Sequence, residues 1–244
     1  MRYAITGATG FIGTALSNRL ASLGHTVIPV PRQYLNSEKS FAHYIDTCTP
    51  DAIYHLAAYG NHYNQTDIRE TIKANAYGTL NVFMGSGGLP VFNFTSSSVQ
   101  LINKTPYSIT KEIGEIASEL FPNVTNIRPY SVYGPGEAGF RFIPTVINAI
   151  TNGVKITLDE SATHDWIYID DFITALLNGH TFIGTGKIHT NLEIVRKLEE
   201  IIGKKLQYKR GKLRSYDTND WVSKSEVEHI SIEEGLLKTY LYYR

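Results

Sequence analysis

The stretch TGATGFIG, residues 6–13, decides the fold that we predict for this chain. The apolar run YAI precedes it, and the helical pattern TALSNRLASLG follows it. Glycines at this spacing, here Gly7, Gly10 and Gly13, permit a tight turn, let backbone N–H groups approach a phosphate and let a helix lie close to a strand. The stretch therefore predicts a phosphate-binding turn between a first strand and a first helix.

Short apolar runs alternate with helical patterns along the first half of the chain. The runs are YAIT (3–6), HTVIPV (25–30), AIYHLAA (52–58), VFNFTS (91–96) and VTNIRPYSV (124–132). Such alternation predicts an α/β fold, a Rossmann-type doubly wound parallel sheet with helices on both faces.

The pattern becomes less regular beyond Ser131, where glycines and prolines cluster at 134–139. We therefore expect a small C-terminal substrate-binding lobe in addition to the nucleotide-binding domain. Residues 1–128 with 164–186 are assigned to the Rossmann domain, and residues 129–163 with 187–244 to the lobe.

Composition limits the classes of partner. The chain has 244 residues, with 23 Lys plus Arg balancing 23 Asp plus Glu, so no overall field attracts nucleic acid or anionic lipid. Cys48 is the single cysteine, which excludes an internal disulfide framework and a cysteine-based zinc cluster. The N-terminus has no leader pattern and no apolar run reaches about 18 residues. We expect a cytoplasmic protein with no membrane and no nucleic-acid partner.

The end of the second predicted strand bears on the choice of nucleotide. In NAD-binding Rossmann folds, a carboxylate near this point accepts hydrogen bonds from the ribose 2′-hydroxyl. Here Pro31 occupies that position and Arg32 follows. A guanidinium suits a 2′-phosphate, so the sequence favours NADP(H), with NAD(H) as the alternative.

Tyr107 and Lys111 are the candidate catalytic pair, because the spacing Tyr-x-x-x-Lys puts both side chains on one helical face. A lysine ammonium one turn away favours the anion of a phenol whose ordinary pKa is about 10. Tyr208 and Lys212 have the same spacing. Only the first pair follows N-cap and N1 signals, Thr105 and Pro106, so we assign the chemistry there.

Several further segments resemble one family in its order along nearly the whole chain. They are HLAAYG (55–60), NAYGTLNV (75–82), TSSS (95–98), RPYSVYGPGE (128–137), DWIYIDD (165–171) and the closing SIEEGLLKTYLYYR. Together with TGATGFIG and YSITK, they resemble the extended short-chain dehydrogenase/reductase family. That family contains NAD(P)-dependent sugar-nucleotide epimerases, dehydratases and reductases. The resemblance implies a nucleotide-sugar substrate and a homodimer through the helices near 71–84 and 107–120.

The resemblance also implies roles for individual residues. Ser96 would orient the substrate carbonyl, Tyr107 would exchange the proton, and Lys111 would lower the tyrosine pKa and hold the cofactor ribose. Ser97 is the rival of Ser96 as the carbonyl-orienting hydroxyl. His164 occupies the position of a family arginine, and Arg214 resembles a family arginine that binds the diphosphate.

The full set of cofactor-binding and substrate residues follows from the same matches. The cofactor-binding set is Gly7, Gly10, Phe11, Ile12, Gly13, Arg32, Leu56, Ala57, Ala58, Asn75, Thr95, Tyr107, Lys111, Pro129 and Tyr130, and the substrate set is Ser97, Ser131, His164 and Arg214. His55 and His62 have no further ligand types nearby, so we expect no metal site.

The residues around Ser96 narrow the reaction. Family 4,6-dehydratases carry Asp-Glu after this hydroxyl, whereas Ser97 and Ser98 follow here. The double epimerase-reductases use a Cys and a His, and Cys48 lies elsewhere. These departures leave a 4-ketosugar reductase or a 4-epimerase.

The interval from Ser96 to Tyr107 is about half the usual length in the family, and it favours the reductase. An epimerase must retain its ketosugar until hydride returns, whereas a reductase tolerates a more open site. We therefore expect an NADPH-using 4-ketosugar reductase, with an NAD-dependent 4-epimerase as the alternative. A non-catalytic NAD(P)-binding sensor is the rival from another class. Tyr107 and Lys111 in a capped helix argue against it, because a sensor needs only the glycine turn.

Overall fold

The structure is a computed structural model that describes residues 1–62, 64–212, 222–224 and 227–244. It forms two compact units, Met1–Arg128 and Pro129–Arg244. By position, residues 164–186 lie within the second unit. Their assignment to the nucleotide-binding domain concerns function and stays a prediction.

Strands and helices alternate in the first unit. They are β1 (Arg2–Thr6), α1 (Phe11–Ser22), β2 (Thr26–Val30), α2 (Glu38–Cys48), β3 (Ala52–His55), α3 (Ile68–Ile72), α4 (Gly78–Met84), β4 (Val91–Phe94), α5 (Pro106–Ala117) and β5 (Val124–Pro129). A π-helical segment, Lys73–Tyr77, joins α3 to α4, and a 3-10 turn, Ser97–Gln100, follows β4.

The strands of this unit pair in the order β2-β1-β3-β4-β5, and every pair is parallel. The predicted doubly wound α/β fold is therefore confirmed. Parallel strands bring their carboxyl ends to one edge of the sheet, where such folds bind their ligands. At this edge Thr6 of β1 pairs with His55 of β3, and His55 pairs with Asn93 of β4. The glycine turn, the residues after His55 and the serines after Phe94 all begin here.

One face of the sheet is covered by α2 and α4. Phe41 and Ile45 of α2 join Val82 and Phe83 of α4 in a buried cluster. Ile53 of β3 lies in the same cluster and is fully buried, as is typical of a parallel strand with both faces covered. This packing holds the sheet edge that carries the candidate site.

The turn after β1 requires glycine because its backbone approaches two other segments closely. Gly7 has φ +69°, and a Cβ there would lie 2.8 Å from the backbone N of Ala57. A Cβ at Gly13 would lie 2.1 Å from the carbonyl oxygen of Gly7. Gly10 is the N-cap of α1. Side chains at Gly7 and Gly13 would separate β1, β3 and α1.

The second unit contains shorter strands and longer helices. They are β6 (Ser131–Tyr133), α6 (Phe142–Asn152), β7 (Ile156–Leu158), β8 (Thr163–Tyr168), α7 (Ile169–Leu177), β9 (Phe182–Ile183), β10 (Ile188–Thr190), α8 (Asn191–Ile202), β11 (Tyr208–Arg210) and α9 (Ile232–Tyr243). Strand β8 lies between β10, which is antiparallel to it, and β6, which is parallel. Strand β11 pairs with β7.

A buried carboxylate organises the loops of this unit. Asp165 of β8 accepts hydrogen bonds from the backbone N–H and hydroxyl of Thr185, both at 2.7 Å. It also accepts from the N–H groups of Gly186 at 3.0 Å and Ser223 at 2.8 Å. Four donors satisfy a carboxylate that is 1% exposed, so Asp165 fixes both segments to β8. Within the described part of the chain, no helix is both long and apolar enough to cross a bilayer.

Candidate active site

Helix α5 begins where the sequence predicts. Thr105 is its N-cap and Pro106 its first residue. The Thr105 side chain accepts from the N–H of Ser108 at 3.1 Å, and the Ser108 hydroxyl accepts from the N–H of Thr105 at 2.7 Å. This capping box satisfies two backbone donors and fixes the first turn of the helix, which carries Tyr107.

Lys111 ties α5 to the carboxyl edge of the sheet. Its Nζ donates a hydrogen bond of 2.6 Å to the carbonyl oxygen of Phe94, the last residue of β4. The side chain is buried, and this burial lowers the pKa of Lys111 from 10.5 to about 8. The ammonium is thus the main form near neutral pH. Because this pKa is close to neutrality, charges placed near Lys111 can change the fraction that is protonated.

Ser96 lies two residues beyond Phe94 and is the N-cap of the 3-10 turn. Its Oγ accepts hydrogen bonds from the N–H of Ser98 at 3.1 Å and from the Ser98 hydroxyl at 2.9 Å. A hydroxyl that accepts twice has its own proton left to donate. Ser96 is therefore suited to donate to a carbonyl oxygen. Its side chain is half-buried, whereas Ser97 is 4% exposed.

The catalytic residues predicted from the sequence lie on two adjoining elements. Tyr107 is half-buried and lies one turn before Lys111 on α5. Helix α5 packs against the 3-10 turn that Ser96 begins. The bond from Lys111 to Phe94 holds these elements together. Their roles in catalysis stay predictions.

Asn75 connects α5 to the loop after β3. It lies in the π-helical segment, and its Oδ1 accepts from the N–H of Tyr59 at 2.8 Å. Its Nδ2 donates to the carbonyl of Tyr59 at 2.8 Å and to the hydroxyl of Thr110 at 3.0 Å. The family resemblance assigns Asn75 to the cofactor, and that role stays a prediction. The structure adds that the same side chain positions α5.

The residues assigned to a dinucleotide fit that role at the glycine turn. Phe11 and Ile12 begin α1, and the glycine N-cap before them places no side chain over the helix N-terminus. Backbone N–H groups at such a terminus attract a phosphate. Residues 56–58 follow β3 directly, and the backbone of Leu56 and Ala57 lies against Gly7. Thr95 is buried, and its hydroxyl donates to the carbonyl of Ile127 at 3.1 Å.

Arg32 begins a 3-10 turn just after β2 and forms an ion pair with Glu70 of α3. The guanidinium Nη2 lies 3.2 Å from Glu70 Oε2, and both side chains are exposed. The sequence gives no sign of this pairing. It partly neutralises the charge on which the NADP(H) prediction depends.

The other predicted residues belong to the second unit. The Ser131 hydroxyl lies 3.3 Å from Nδ1 of His164, and both residues are on paired strands, β6 and β8. Tyr130 is buried and its N–H donates to the carbonyl of Ile183 at 3.0 Å. Pro129 is half-buried. Arg214 lies outside the described residues.

Three polar residues of the first unit that support the site are absent from the predicted set. Thr6, His55 and Thr110 are buried and hydrogen-bonded to the residues described above or to each other. Thr6 and His55 could have been found as polar residues at the ends of apolar strands. Thr110 could have been found as a polar residue within YSITK. Among the described residues, no group of three or more His, Cys, Asp or Glu is placed to hold a metal ion.

Comparison with models of protein families identifies the family of this chain. The model of the NAD dependent epimerase/dehydratase family matches residues 3–191. The chain belongs to this family. The predicted resemblance to extended short-chain dehydrogenases is therefore confirmed, and so is the expectation of an enzyme with their sugar-nucleotide chemistry.

Two of the relatives of this chain have names that refer to different activities. The chain is 26% identical over 236 residues to UDP-glucose 4-epimerase of Mycolicibacterium smegmatis, covering 77% of this chain and 75% of that protein. It is 29% identical over 233 residues to CDP-abequose synthase of Salmonella muenchen, covering 79% of each.

Solved structures share the fold. UDP-glucose 4-epimerase of Thermotoga maritima, crystallised with UDP-glucose, has a TM-score of 0.80 at 22% identity and covers 100% of this chain and 98% of that one. A Bordetella bronchiseptica enzyme in complex with NAD and UDP has a TM-score of 0.83 at 17% identity, covering 99% and 93%. At this identity the likeness concerns the fold alone.

The buried ammonium of Lys111 predicts a pH dependence of stability. Its pKa is about 8 in the folded protein and 10.5 ordinarily, so between these values the unfolded chain binds more protons. Stability therefore rises with pH across this interval because of Lys111. We expect the free energy of unfolding of wild type minus that of Lys111→Met to rise there, as measured by urea unfolding. Lys39→Met, at an exposed lysine, is the control. A flat difference for Lys111→Met would contradict the assignment.

Proposed function

We propose that the protein is a 4-ketosugar reductase that acts on a nucleotide sugar and uses NADPH. The observation that carries this proposal is the short, tied-down connection between the candidate catalytic hydroxyl Ser96 and Tyr107. Ser97–Gln100 form a 3-10 turn and Pro106 already begins α5, so only residues 101–105 are irregular.

The proposed chemistry assigns one action to each residue. The glycine turn and residues 56–58 would hold NADPH, which when bound would supply the hydride for the carbonyl carbon. Ser96 donates a hydrogen bond to the carbonyl oxygen and polarises it. The Tyr107 hydroxyl gives its proton to that oxygen as the alcohol forms, and the ammonium of Lys111 stabilises the phenolate that remains. Solvent then restores the proton of the phenol.

The connection is too compact to enclose a sugar well. Lys104 Nζ donates to the carbonyl of Val99 and to Glu112 Oε1 of α5, so the segment is held close to its own helix. Ile102, within the irregular stretch, is 87% exposed. A 4-epimerase must keep its ketosugar until hydride returns, whereas a reductase releases product after a single transfer. The compact connection therefore supports the reductase.

The relatives support the substrate class. Their names refer to UDP-linked glucose and CDP-linked abequose, and neighbouring structures hold UDP-glucose or UDP. We infer that this chain also acts on a nucleotide sugar. Residues 129–163 and 187–244 would contribute its binding lobe, with Ser131 and His164 among the contacts.

A turnover assay tests the reaction. We expect purified protein, given a 4-keto nucleotide sugar and NADPH, to consume one NADPH for each sugar reduced, as followed by absorbance. Tyr107→Phe should lower turnover by roughly 10² or more, because the proton donor is lost, while cofactor binding is retained.

Tyr242→Phe, at an exposed tyrosine of the second unit, is the matched control and should keep wild-type turnover. Interconversion of nucleotide sugars on NAD⁺ without net cofactor use would replace the reductase by the 4-epimerase. Equal turnover in Tyr107→Phe would refute the mechanism.

Cofactor preference is tested at the Arg32–Glu70 pair. Arg32→Glu should weaken NADPH binding about tenfold, through the loss of a charge-assisted contact to the 2′-phosphate, and leave NADH within about twofold. Glu70→Gln should strengthen NADPH binding, because no carboxylate then competes with the 2′-phosphate for the guanidinium. Both dissociation constants can be measured by fluorescence titration. If NADPH binding does not weaken selectively in Arg32→Glu, the assignment of NADP(H) is wrong.

The proposal includes a homodimer in the cytoplasm. An apolar surface supports the dimer: Ile109, Ile113 and Ile116 of α5 are exposed, and Leu120, just beyond, is 80% exposed. Exposed apolar patches of this kind commonly mark a protein interface. We expect a dimer by sedimentation, and Ile116→Glu should shift it to monomer. Leu241→Glu, at an exposed leucine of α9, should not. A monomeric wild type would remove this part of the proposal.

A further inference from the structure

A buried histidine next to the candidate site is not used in the proposed chemistry. His55 is the last residue of β3 and has no solvent exposure. Its Nδ1 lies 2.8 Å from the hydroxyl of Thr6 at the end of β1. Its Nε2 lies 3.0 Å from the hydroxyl of Thr79 in α4. One imidazole thus connects two strands and a helix through side-chain hydrogen bonds.

A neutral imidazole donates from one nitrogen and accepts at the other, so it bonds both threonine hydroxyls at once. The Thr6 hydroxyl oxygen accepts from the N–H of Ala57 at 3.1 Å. The same hydroxyl shares a hydrogen bond with Nδ1 of His55, and the Thr79 hydroxyl shares one with Nε2. The hydrogen-bonded chain therefore connects Ala57 N–H to Thr79 through Thr6 and His55.

The electrostatics agree with a neutral ring. Burial, and next the charge of Lys111, lower the pKa of His55 from 6.5 to about 3. The imidazole is neutral near neutral pH, so one of its two nitrogens remains an acceptor. A protonated ring would donate from both nitrogens, and neither threonine hydroxyl could then donate to it.

The Ala57 end of this hydrogen-bonded chain lies at the phosphate-binding turn. Thr6 also accepts the N–H of Leu56 at its carbonyl, at 3.2 Å. A Cβ on Gly7 would lie within 3.0 Å of the Ala57 backbone, so the turn and residues 56–58 are in direct contact. The separation of these two backbone segments depends on how the Thr6 hydroxyl is oriented, because that hydroxyl holds the N–H of Ala57.

We propose that His55 is a positioning residue for the dinucleotide: it orients the Thr6 hydroxyl, and the hydroxyl holds residues 56–58 against the glycine turn. The inference rests on the dinucleotide site of the proposed function. It does not depend on the reaction or on the choice between NADPH and NAD⁺. His55 contacts neither substrate nor cofactor in this role.

Four variants separate positioning from stability alone. His55→Leu removes both bonds, Thr6→Val removes only the strand end of the hydrogen-bonded chain, and Thr79→Val removes only the helix end. His55→Gln can still accept at one end and donate at the other. The dissociation constants of NAD⁺ and NADPH are measured by calorimetry on the folded variants, and thermal unfolding is measured alongside.

We expect His55→Leu and Thr6→Val each to weaken both cofactors about tenfold, the scale of one buried hydrogen bond. The double variant, His55→Leu with Thr6→Val, should bind each cofactor no more weakly than the single variant with the lower affinity. Both changes break the same connection, so their effects should not add. His55→Gln should recover most of the affinity. Thr79→Val should lower the melting temperature but change affinity by less than about threefold, since Thr79 is on the far side of the ring.

Unchanged affinity in folded His55→Leu, or losses that multiply in the double variant, would overturn the inference. If His55→Leu does not fold, Thr6→Val decides alone, and unchanged affinity there overturns the inference equally. Failure of the proposed reductase would appear as wild-type protein that does not reduce ketosugars. The binding comparison would stay intact in that case.

Discussion

The hydrogen bond from Lys111 Nζ to the carbonyl of Phe94 is the interaction on which the candidate site depends. It joins α5, which carries Tyr107, to the strand end from which Ser96 follows. Burying an ammonium is costly, and the lowered pKa of Lys111 reflects that cost. The proposed chemistry requires this charge beside a phenol. The bond to Phe94 satisfies one of the ammonium donors in that position.

Around this bond, polar residues connect the segments of the site through hydrogen bonds. Asn75 fixes the loop after β3 to α5 through Tyr59 and Thr110. Thr6 and His55 fix the same loop to the glycine turn. The proposed cofactor site and the proposed catalytic residues therefore share one backbone segment, residues 56–59. A π-helical segment at Asn75 is consistent with this, because such segments occur often at functional sites.

The connection between Ser96 and Tyr107 bears most directly on which reaction this member of a family of epimerases and dehydratases performs. Its shortness leaves the hydroxyl and the phenol on adjoining elements, and in the proposed function it reduces the cover over a bound sugar. Lys104 makes the segment compact by tying it to Val99 and Glu112. In the proposed function, weaker enclosure of the substrate favours a reductase over an epimerase.

The sequence by itself determined the parallel α/β fold, the glycine turn, the cap of α5 and the position of Tyr107 one turn before Lys111 on that helix. Each depends on residues close together in the chain, where spacing and local backbone chemistry are sufficient. Tertiary structure alone decided that Lys111 bonds to Phe94, that Arg32 pairs with Glu70, and that His55 lies between Thr6 and Thr79. These partners are far apart in sequence and meet only because the fold packs helices α3, α4 and α5 beside the carboxyl ends of the parallel strands. A polar residue at a strand end shows that it needs a hydrogen-bond partner, but the fold selects which one.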